Sequence, residues 1–311
     1  FRKWYGNRDY VINWKNNGIE LIESKKAVIR NSEFYFVKGL SYSDVSSGSY
    51  SLRYYGFGFI FDSTGPMIFL NNYKVYTMID VLSFLNSIVS SDILKLLCPT
   101  IHYTQSSVAK IPFLDFSIYE KDIEKITQQN IEISKFDWDS YETSWDFAVH
   151  PLVKNHAPTI QEAYSLWKDE CNNRFKELKS NEEELNRIFI EIYGLQDELS
   201  PKESDKDVTV HFLVDDKDSI PESFAGSKYV RTKQDEIKSF ISYAVGCMFG
   251  RYSLDTEGLV YAGGQWDISK YKTYIPDADN VIPICDAEYF EDDIVSRFVD
   301  FVRVVYSAEN L

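Results

Sequence analysis

The chain has 311 residues, of which 44% are hydrophobic, 26% charged and 16% aromatic. This is the composition of a globular protein with a sizeable core, and the length suffices for about two domains. No apolar run is long enough to span a membrane, and the start of the chain carries no signal-peptide pattern. We therefore expect a cytoplasmic protein, and we interpret the chain as a piece of a longer one because it begins without an initiator Met.

The net charge of −15 is unevenly distributed along the chain. Residues 1–115 contain 12 Lys and Arg against 9 Asp and Glu, whereas residues 116–200 contain 9 against 18 and residues 201–311 contain 12 against 21. Attraction to a polyanion is decided by local patches and not by the average charge. Only the first third therefore has a charge balance that favours nucleic acid, although an excess of three is also compatible with an ordinary solvated surface.

The first third is rich in aromatic and β-branched residues, which favour strands. Asn16-Asn17-Gly18 indicates a turn, and three strands are predicted in FYFVKGLSY (34–42), SYSLRYY (49–55) and FGFIFD (57–62). A Ser/Gly loop at 44–49 joins the first two strands, while Gly56 and Gly58 indicate a bend or bulge. After a turn at residues 64–66, apolar residues recur at helical spacing over 75–97, and Pro99 ends that helix.

The remainder of the chain is predicted to be mainly helical. The acidic, aromatic segment 117–158 is expected to be irregular, and the charged segment 201–234 is expected to be a linker or surface loops. Residues 159–200 predict a helix, with Thr159 and Glu162 as a capping box and Gly194 as its C-cap. Two more helices are predicted at 235–250 and 286–306, the second with an acidic start that suits the helix dipole, and Gly263-Gly264 marks a turn between them.

These elements predict an α+β fold in which a small mixed β domain with a closing helix precedes helical parts. The predicted divisions are the small β domain (1–116), a connecting segment (117–158), a helical spacer (159–200), a linker (201–234) and a mostly helical C-terminal domain (235–311).

No catalytic constellation or metal site is predicted. The chain lacks GxSxG, HExxH and P-loop motifs, a Gly-rich cofactor loop followed by a helix, and an Asn-Pro-Pro-aromatic segment. Its four Cys form no CxxC pair and its four His have no metal-ligand spacing, so reduced cysteines are expected. The Glu-x-Lys triplet at 236–238 is interpreted as a surface ion pair on a helix rather than as a nuclease site. The carboxylates between Asp137 and Asp146 are interpreted as a solvated acidic segment.

Side chains suited to reading DNA lie in the first third. Arg and Lys can bind guanine edges or phosphates, Gln and Asn can pair with adenine, and Ser and Tyr can take either role. The candidates are Lys25, Lys26, Arg30, Lys38, Tyr42, Ser43, Ser46, Ser47, Ser49, Arg53, Tyr54, His102, Tyr103, Gln105 and Lys110. For each of them a structural role is the alternative, since the tyrosines can be half-buried strand residues and the serines can close turns.

A family resemblance follows from the order of these pieces. The segment GLSYSDVSSGSYSLRYYGFGFIFD, a helix with FLNS, and PTIHYTQSSVAKIPF resemble the target-recognition regions of DNA methyltransferases and of type I restriction specificity subunits. The longer segments WYGNRDYVINW, FDWDSYETSWDFAVHPLV and ELNRIFIEIYGLQDELSP resemble the C-terminal half of the PglX family. That family comprises the adenine-specific DNA methyltransferases of BREX phage-defence systems, and the resemblance covers nearly the whole chain.

The resemblance implies a division of roles between this chain and residues upstream of it. The family's S-adenosylmethionine site and its Asn-Pro-Pro-Tyr motif match no position here, so no catalytic residue is predicted and the cofactor is implied only for the full-length protein. The implied partners are double-stranded DNA through residues 1–116, the N-terminal methyltransferase domain and other BREX proteins. Two alternatives stay open, namely a protein-interaction module that docks other defence components and an independent nuclease.

Overall fold

The computed structural model describes residues 1–24, 26–46, 49–70 and 76–307, which form two compact units. Unit 1 comprises Phe1–Lys135 and Leu178–Ser204, and unit 2 comprises Phe136–Glu177 and Asp205–Leu311. The predicted domain boundaries divide the chain differently, and they stay predictions.

The elements confirm the predicted α+β class. In chain order, the described residues form α1 (Lys15–Glu23), β1 (Gly39–Tyr42), β2 (Leu52–Tyr55), β3 (Met67–Ile68), α2 (Met78–Leu85), α3 (Ile88–Leu97), α4 (Gln105–Val108), α5 (Glu120–Asp139), α6 (Pro151–Lys154), α7 (Ile160–Tyr193), β4 (Phe212–Val214), β5 (Val230–Thr232), α8 (Lys233–Met248) and α9 (Ile294–Tyr306). Within these ranges no helix is both long enough and apolar enough to cross a membrane.

Unit 1 contains a small antiparallel sheet in the order β2-β1-β3. Leu40 of β1 lies opposite Tyr54 on one side and Ile68 on the other, and a parallel bridge between Trp4 and Arg53 extends the pairing beyond β2. The first two predicted strands are confirmed in shortened form. The third prediction is wrong because residues 57–62 form a loop, and the short strand β3 pairs with β1 instead.

The FLNS motif closes the edge of this sheet. The predicted helix at 75–97 is broken into α2 and α3 at Asn86, whose side chain is buried. Asn86 Oδ1 accepts from the backbone N–H of Leu52 at 2.8 Å, and its Nδ2 donates to the carbonyl of Leu52 at 2.9 Å. An amide side chain carries the same donor and acceptor as a peptide group, so Asn86 pairs with β2 much as a neighbouring strand would. Ser87 then caps α3.

The N-terminal segment is fixed in unit 1 by a buried group of charges. Lys3 Nζ lies 3.2 Å from Glu182 Oε2 and 3.0 Å from Glu203 Oε1, and Trp4 Nε1 donates to Glu182 Oε1 at 2.6 Å. On the same helix as Glu182, Asn186 Oδ1 accepts from the N–H of Ile88, the first residue of α3, at 2.8 Å. Buried charges need partners of this kind because an unpaired one is strongly destabilising.

Unit 2 has its own hydrophobic core. Side chains of α6, α7, β4, α8 and α9 meet there, including Leu152, Trp167, Leu213, Phe240 and Phe301, all of which are buried. Strands β4 and β5 are parallel, with Phe212 opposite Val230. The segment 201–234 therefore contributes two paired strands, one of them buried in the core, where a linker or surface loops were predicted.

Several helix boundaries follow the predicted signals. Thr159 Oγ1 accepts from the N–H of Glu162 at 3.2 Å, and Gly194 ends α7 with a φ of +67°. Two predictions are wrong. Segment 117–158 contains the 20-residue helix α5, and α9 begins at Ile294 instead of 286. The later start has a clear cause, since the buried carboxylate of Asp293 caps α9 by accepting from the N–H of Ser296 at 2.8 Å.

Two acidic positions that were interpreted as solvated are buried in unit 2. Glu236 is fully buried, where it accepts from Trp167 Nε1 at 2.8 Å and pairs with Arg231. Asp137 is 1% exposed and accepts from the N–H of His211 at 2.8 Å. Both carboxylates are therefore structural. The four cysteines all lie in described residues and none is in a disulfide.

Candidate nucleic-acid interface

Two loops of unit 1 that are distant in sequence are paired at one end of β1. Val45 and His102 form an antiparallel bridge. The N–H of Ser46 donates to the carbonyl of Ile101 at 3.0 Å, and the N–H of Tyr103 donates to the carbonyl of Asp44 at 2.7 Å. This pairing brings together four of the predicted residues, namely Ser43, Ser46, His102 and Tyr103. We call the surface formed by residues 43–46 and 100–105 the paired-loop surface.

Helix α4 begins directly at this surface. Thr104 caps it by accepting from the N–H of Ser107 at 3.3 Å, which leaves Gln105 exposed in the first turn. His102 is exposed, and its Nδ1 lies 3.8 Å from Asp44 Oδ2. Lys110, which is also exposed, follows the end of α4. The paired-loop surface therefore combines hydroxyl, amide and imidazole groups with a nearby cation.

A second group of candidates lies toward the opposite end of β1. Lys38 is exposed immediately before β1, and Lys26 and Arg30 are exposed further upstream. At about 3.3 Å per residue, Lys38 and Ser43 are separated by roughly 16 Å along the strand. That distance is comparable with the width of the DNA major groove, which is ~12 Å.

Three predicted contact residues are buried, which corrects their assignment to a DNA-reading surface. Tyr42, Arg53 and Tyr103 are 2%, 3% and 9% exposed. The rings of Tyr42 and Tyr103 both pack against Tyr50, and burial raises the pKa of Tyr42 to about 12. These tyrosines belong to the core because their rings fill the space beneath the paired loops.

Arg53 has a structural role beneath the same surface. Its Nη1 donates to the carbonyl of Arg2 at 3.1 Å, and its Nη2 donates to Ser43 Oγ at 3.3 Å. Arg53 therefore positions the loop that carries Ser43. Tyr54 is half-buried, and its backbone is held by the N-terminal segment, since its N–H donates to the carbonyl of Trp4 at 2.8 Å.

The other predicted residues are Ser49, which is exposed, and Lys25 and Ser47, which lie outside the described residues. Sequence reasoning missed Arg8, whose guanidinium carbon lies 3.7 Å from the ring centroid of Tyr5 and 4.7 Å from that of Phe59. The Tyr55-Gly56-Phe57-Gly58 segment was interpreted only as a bend or bulge. The alternation of Phe with Gly there was the available signal for an exposed aromatic loop.

The described ranges contain no group of three or more His, Cys, Asp or Glu side chains placed to hold a metal ion. The Gly-rich stretch at 55–58 continues into residues 59–62, which are neither helix nor strand, so the helix N-terminus that would bind the phosphate or carboxylate of a cofactor is not formed there. These residues do not fit an S-adenosylmethionine site.

Comparisons with known proteins find that the chain is similar to part of two bacterial methyltransferases. No family model matches it. It is 44% identical to the adenine-specific methyltransferase PglX of Lacticaseibacillus casei (strain Zhang) and 35% identical to the adenine-specific methyltransferase BrxX of Escherichia coli O9:H4 (strain HS). Each match covers the whole of this chain but only 25% and 26% of the relative. The predicted resemblance to part of a PglX-type protein is therefore confirmed, and the chain spans about a quarter of the length of these relatives.

Proposed function

We propose that this chain is the DNA target-recognition and C-terminal portion of an adenine-specific methyltransferase. The whole of this chain matches about a quarter of PglX and of BrxX. In this proposal it binds duplex DNA at a specific site, so that an N-terminal catalytic domain can methylate a flipped adenine at N6 in phage defence. The 44% identity over the entire chain is the observation that carries the proposal.

The chemistry of unit 1 supports this role. Gln105 can pair with adenine in the major groove, and the hydroxyls of Ser43 and Ser46 can serve any base as donors or acceptors. Exposed cations at Lys38 and Lys110 suit phosphate contacts, which fix the register of a protein on the duplex without reading sequence. The paired-loop surface would thus contact the bases, while Lys38 and Lys110 would bind phosphates of the DNA backbone.

The proposed division of roles follows from the reaction. An enzyme that modifies a base must take that base out of the stack and into a catalytic pocket, so another part of the protein must hold the duplex and choose the site. The acidic remainder of the chain disfavours wrapping of DNA around every face, because like charges repel. DNA contact is then restricted to the first third, where the charge balance is positive.

The proposal is tested with the full-length methyltransferase and fluorescent duplexes. The methylated motif is mapped by sequencing N6-methyladenine in the source genome, and anisotropy titrations compare a duplex that carries the motif with a scrambled one. We expect Lys110→Ala to weaken binding to both duplexes and to reduce the salt slope by about one, as for a lost phosphate contact. Gln105→Ala should lower the preference for the motif by about 1–3 kcal/mol.

Lys95→Ala is the matched control, because Lys95 is an exposed lysine of unit 1 that pairs with Asp92 on α3 and was not among the candidates. It should bind both duplexes as the parent protein does. Equal affinity of the parent protein for the motif and the scrambled duplex would contradict the proposed function.

A second candidate function, docking of other defence proteins, is favoured by one surface of unit 2. Tyr289 and Phe290 are 79% and 51% exposed on an ordered turn, since both of their N–H groups donate to the carboxylate of Asp293. Carboxylates at Glu288, Glu291 and Asp292 surround them. Exposed aromatic residues on a fixed backbone are typical of the central contacts of protein interfaces.

The docking role is tested by pull-down of the purified components of the same defence system. Tyr289→Ser combined with Phe290→Ser should abolish capture, while Leu259→Ser, at another exposed apolar residue of unit 2, should leave it unchanged. Capture that is equal in all three proteins would exclude this surface as the docking site.

A further inference from the structure

Phe57 is an exposed aromatic residue at the tip of a turn. It lies between Gly56 and Gly58, directly after β2, and 73% of its surface is exposed. Among the described residues, no aromatic ring stacks on it. A solvent-exposed phenylalanine between two glycines contributes little to the core of unit 1, and its ring is accessible to a binding partner.

The base of this turn is firmly held. The N–H of Gly58 donates to the carbonyl of Phe36 at 3.2 Å, and the N–H of Phe36 donates to the carbonyl of Phe59 at 2.8 Å. The rings of Tyr55 and Phe59 pack edge to face at 4.9 Å on either side of the tip. Gly58 has a φ of +97°, a conformation that L side chains rarely adopt. The backbone therefore fixes the tip, while the space around it stays open.

Two cationic side chains lie beside the residues that flank the tip. The guanidinium of Arg8 lies 4.9 Å from the ring centroid of Tyr55 and 4.7 Å from that of Phe59, and its Nη2 donates to the carbonyl of Tyr54 at 2.8 Å. Lys38 is exposed next to Gly39, the residue that lies opposite Tyr55 in the sheet. An exposed aromatic ring beside cations is the combination that nucleic-acid-binding proteins use to stack on bases while they hold the phosphate backbone.

We propose that Phe57 inserts into the base stack of the bound duplex and separates a base step close to the adenine that is methylated. This inference rests on the proposed function. Apolar wedges between base steps unstack and kink DNA, and unstacking lowers the cost of extruding a neighbouring base. Phe57 thereby acts as a DNA-deforming residue, distinct from the polar groups of the paired-loop surface.

The proposal is tested with the full-length methyltransferase and a motif duplex that carries 2-aminopurine beside the target adenine. The fluorescence of 2-aminopurine rises when its stacking is lost, so the parent protein should raise it on binding. Phe57→Ala should abolish most of this rise and weaken binding to the motif duplex about tenfold, since base–aromatic stacking corresponds to about 5- to 150-fold in affinity. Phe57→Trp should retain both properties, because indole also stacks on bases.

Trp145→Ala is the matched control, because it removes an exposed aromatic residue of unit 2 and should leave fluorescence and affinity unchanged. If Phe57→Ala keeps the full fluorescence rise while the parent protein still prefers the motif, the wedge is excluded and the proposed function stands. If the parent protein shows no preference for the motif, both are overturned. A drop in the unfolding temperature of DNA-free Phe57→Ala protein, with an unchanged fluorescence rise, would instead show that the tip packs on protein and would overturn the wedge.

Discussion

His150 predicts a specific loss of stability at mildly acidic pH. It is 1% exposed in unit 2, its Nδ1 accepts from the N–H of Leu152 at 3.2 Å, and its ring lies against Phe240 and Tyr243. Burial, with a smaller contribution from the charge of Arg231, lowers the pKa of His150 to about 3. The imidazole is therefore neutral in the folded protein at any pH near neutrality, and it serves as the N-cap of α6.

The magnitude follows from proton linkage. In the unfolded chain His150 has an ordinary pKa of about 6.5, so below that pH the unfolded state binds a proton that the folded state does not. Its contribution is fully present above pH 6.5 and is lost as the pH falls from 6.5 toward 3. At pH 5 the proton-binding factor of His150 is about 30 times larger in the unfolded state than in the folded state. This ratio corresponds to a loss of about 2 kcal/mol in the free energy of unfolding.

The assay compares urea unfolding of the parent chain and His150→Asn at pH 7.5 and pH 5. Asn is a good N-cap residue and does not titrate, so the variant should lose about 2 kcal/mol less than the parent chain over this range. The chain has only four histidines, so the ring protons of His150 can also be followed directly by NMR and should not shift between these pH values. An identical pH dependence of unfolding in both proteins would refute the reasoning.

Three further substitutions test the structure. Asn86→Ala should lower the free energy of unfolding by about 2–4 kcal/mol in urea titrations, because it removes two buried hydrogen bonds to Leu52 and leaves a backbone N–H unpaired. An effect below 1 kcal/mol would contradict this role. Arg231→Met should cost about 3–5 kcal/mol because it leaves the buried Glu236 unpaired, and the additional change Glu236→Gln should recover part of that loss in thermal unfolding; no recovery would exclude the ion pair as the cause. Thr232→Ala removes the N-cap of α8 and should cost about 1 kcal/mol by the same measurement, whereas an unchanged unfolding temperature would show that this cap is dispensable.

Helices with strong apolar periods and caps were predictable, and α5 shows why others were not. The fully buried positions on α5 include Thr127, Asn130 and Ser134 besides Ile123. Polar side chains at these buried positions weaken the apolar period that identifies a helix in a sequence. Composition therefore favoured irregular structure for a segment that forms five helical turns. The break between α2 and α3 was missed for a related reason, since the apolar spacing continues across Asn86.

The candidate interface could be predicted as a region but not residue by residue. Ser, Tyr and Arg in loops between strands indicated one part of the chain, and the pairing of residues 44–46 with 101–103 places several of them on one surface. Whether Arg53 faces solvent depends on the carbonyl of Arg2 and the hydroxyl of Ser43, which are 51 and 10 residues away. Such long-range partners leave no local pattern in a sequence, and this is why Arg53 was assigned to the surface.

The edge of β2 has a consequence for self-association. The N–H and C=O groups of an edge strand are a template on which another chain can pair and begin to aggregate. In β2, Trp4 and the side chain of Asn86 already occupy these groups at Leu52, and Trp4 also occupies the N–H of Tyr54. A second copy of the chain therefore cannot pair with β2 at these two residues. Changes in the neighbouring loops can then alter the surface without exposing an edge strand that promotes aggregation.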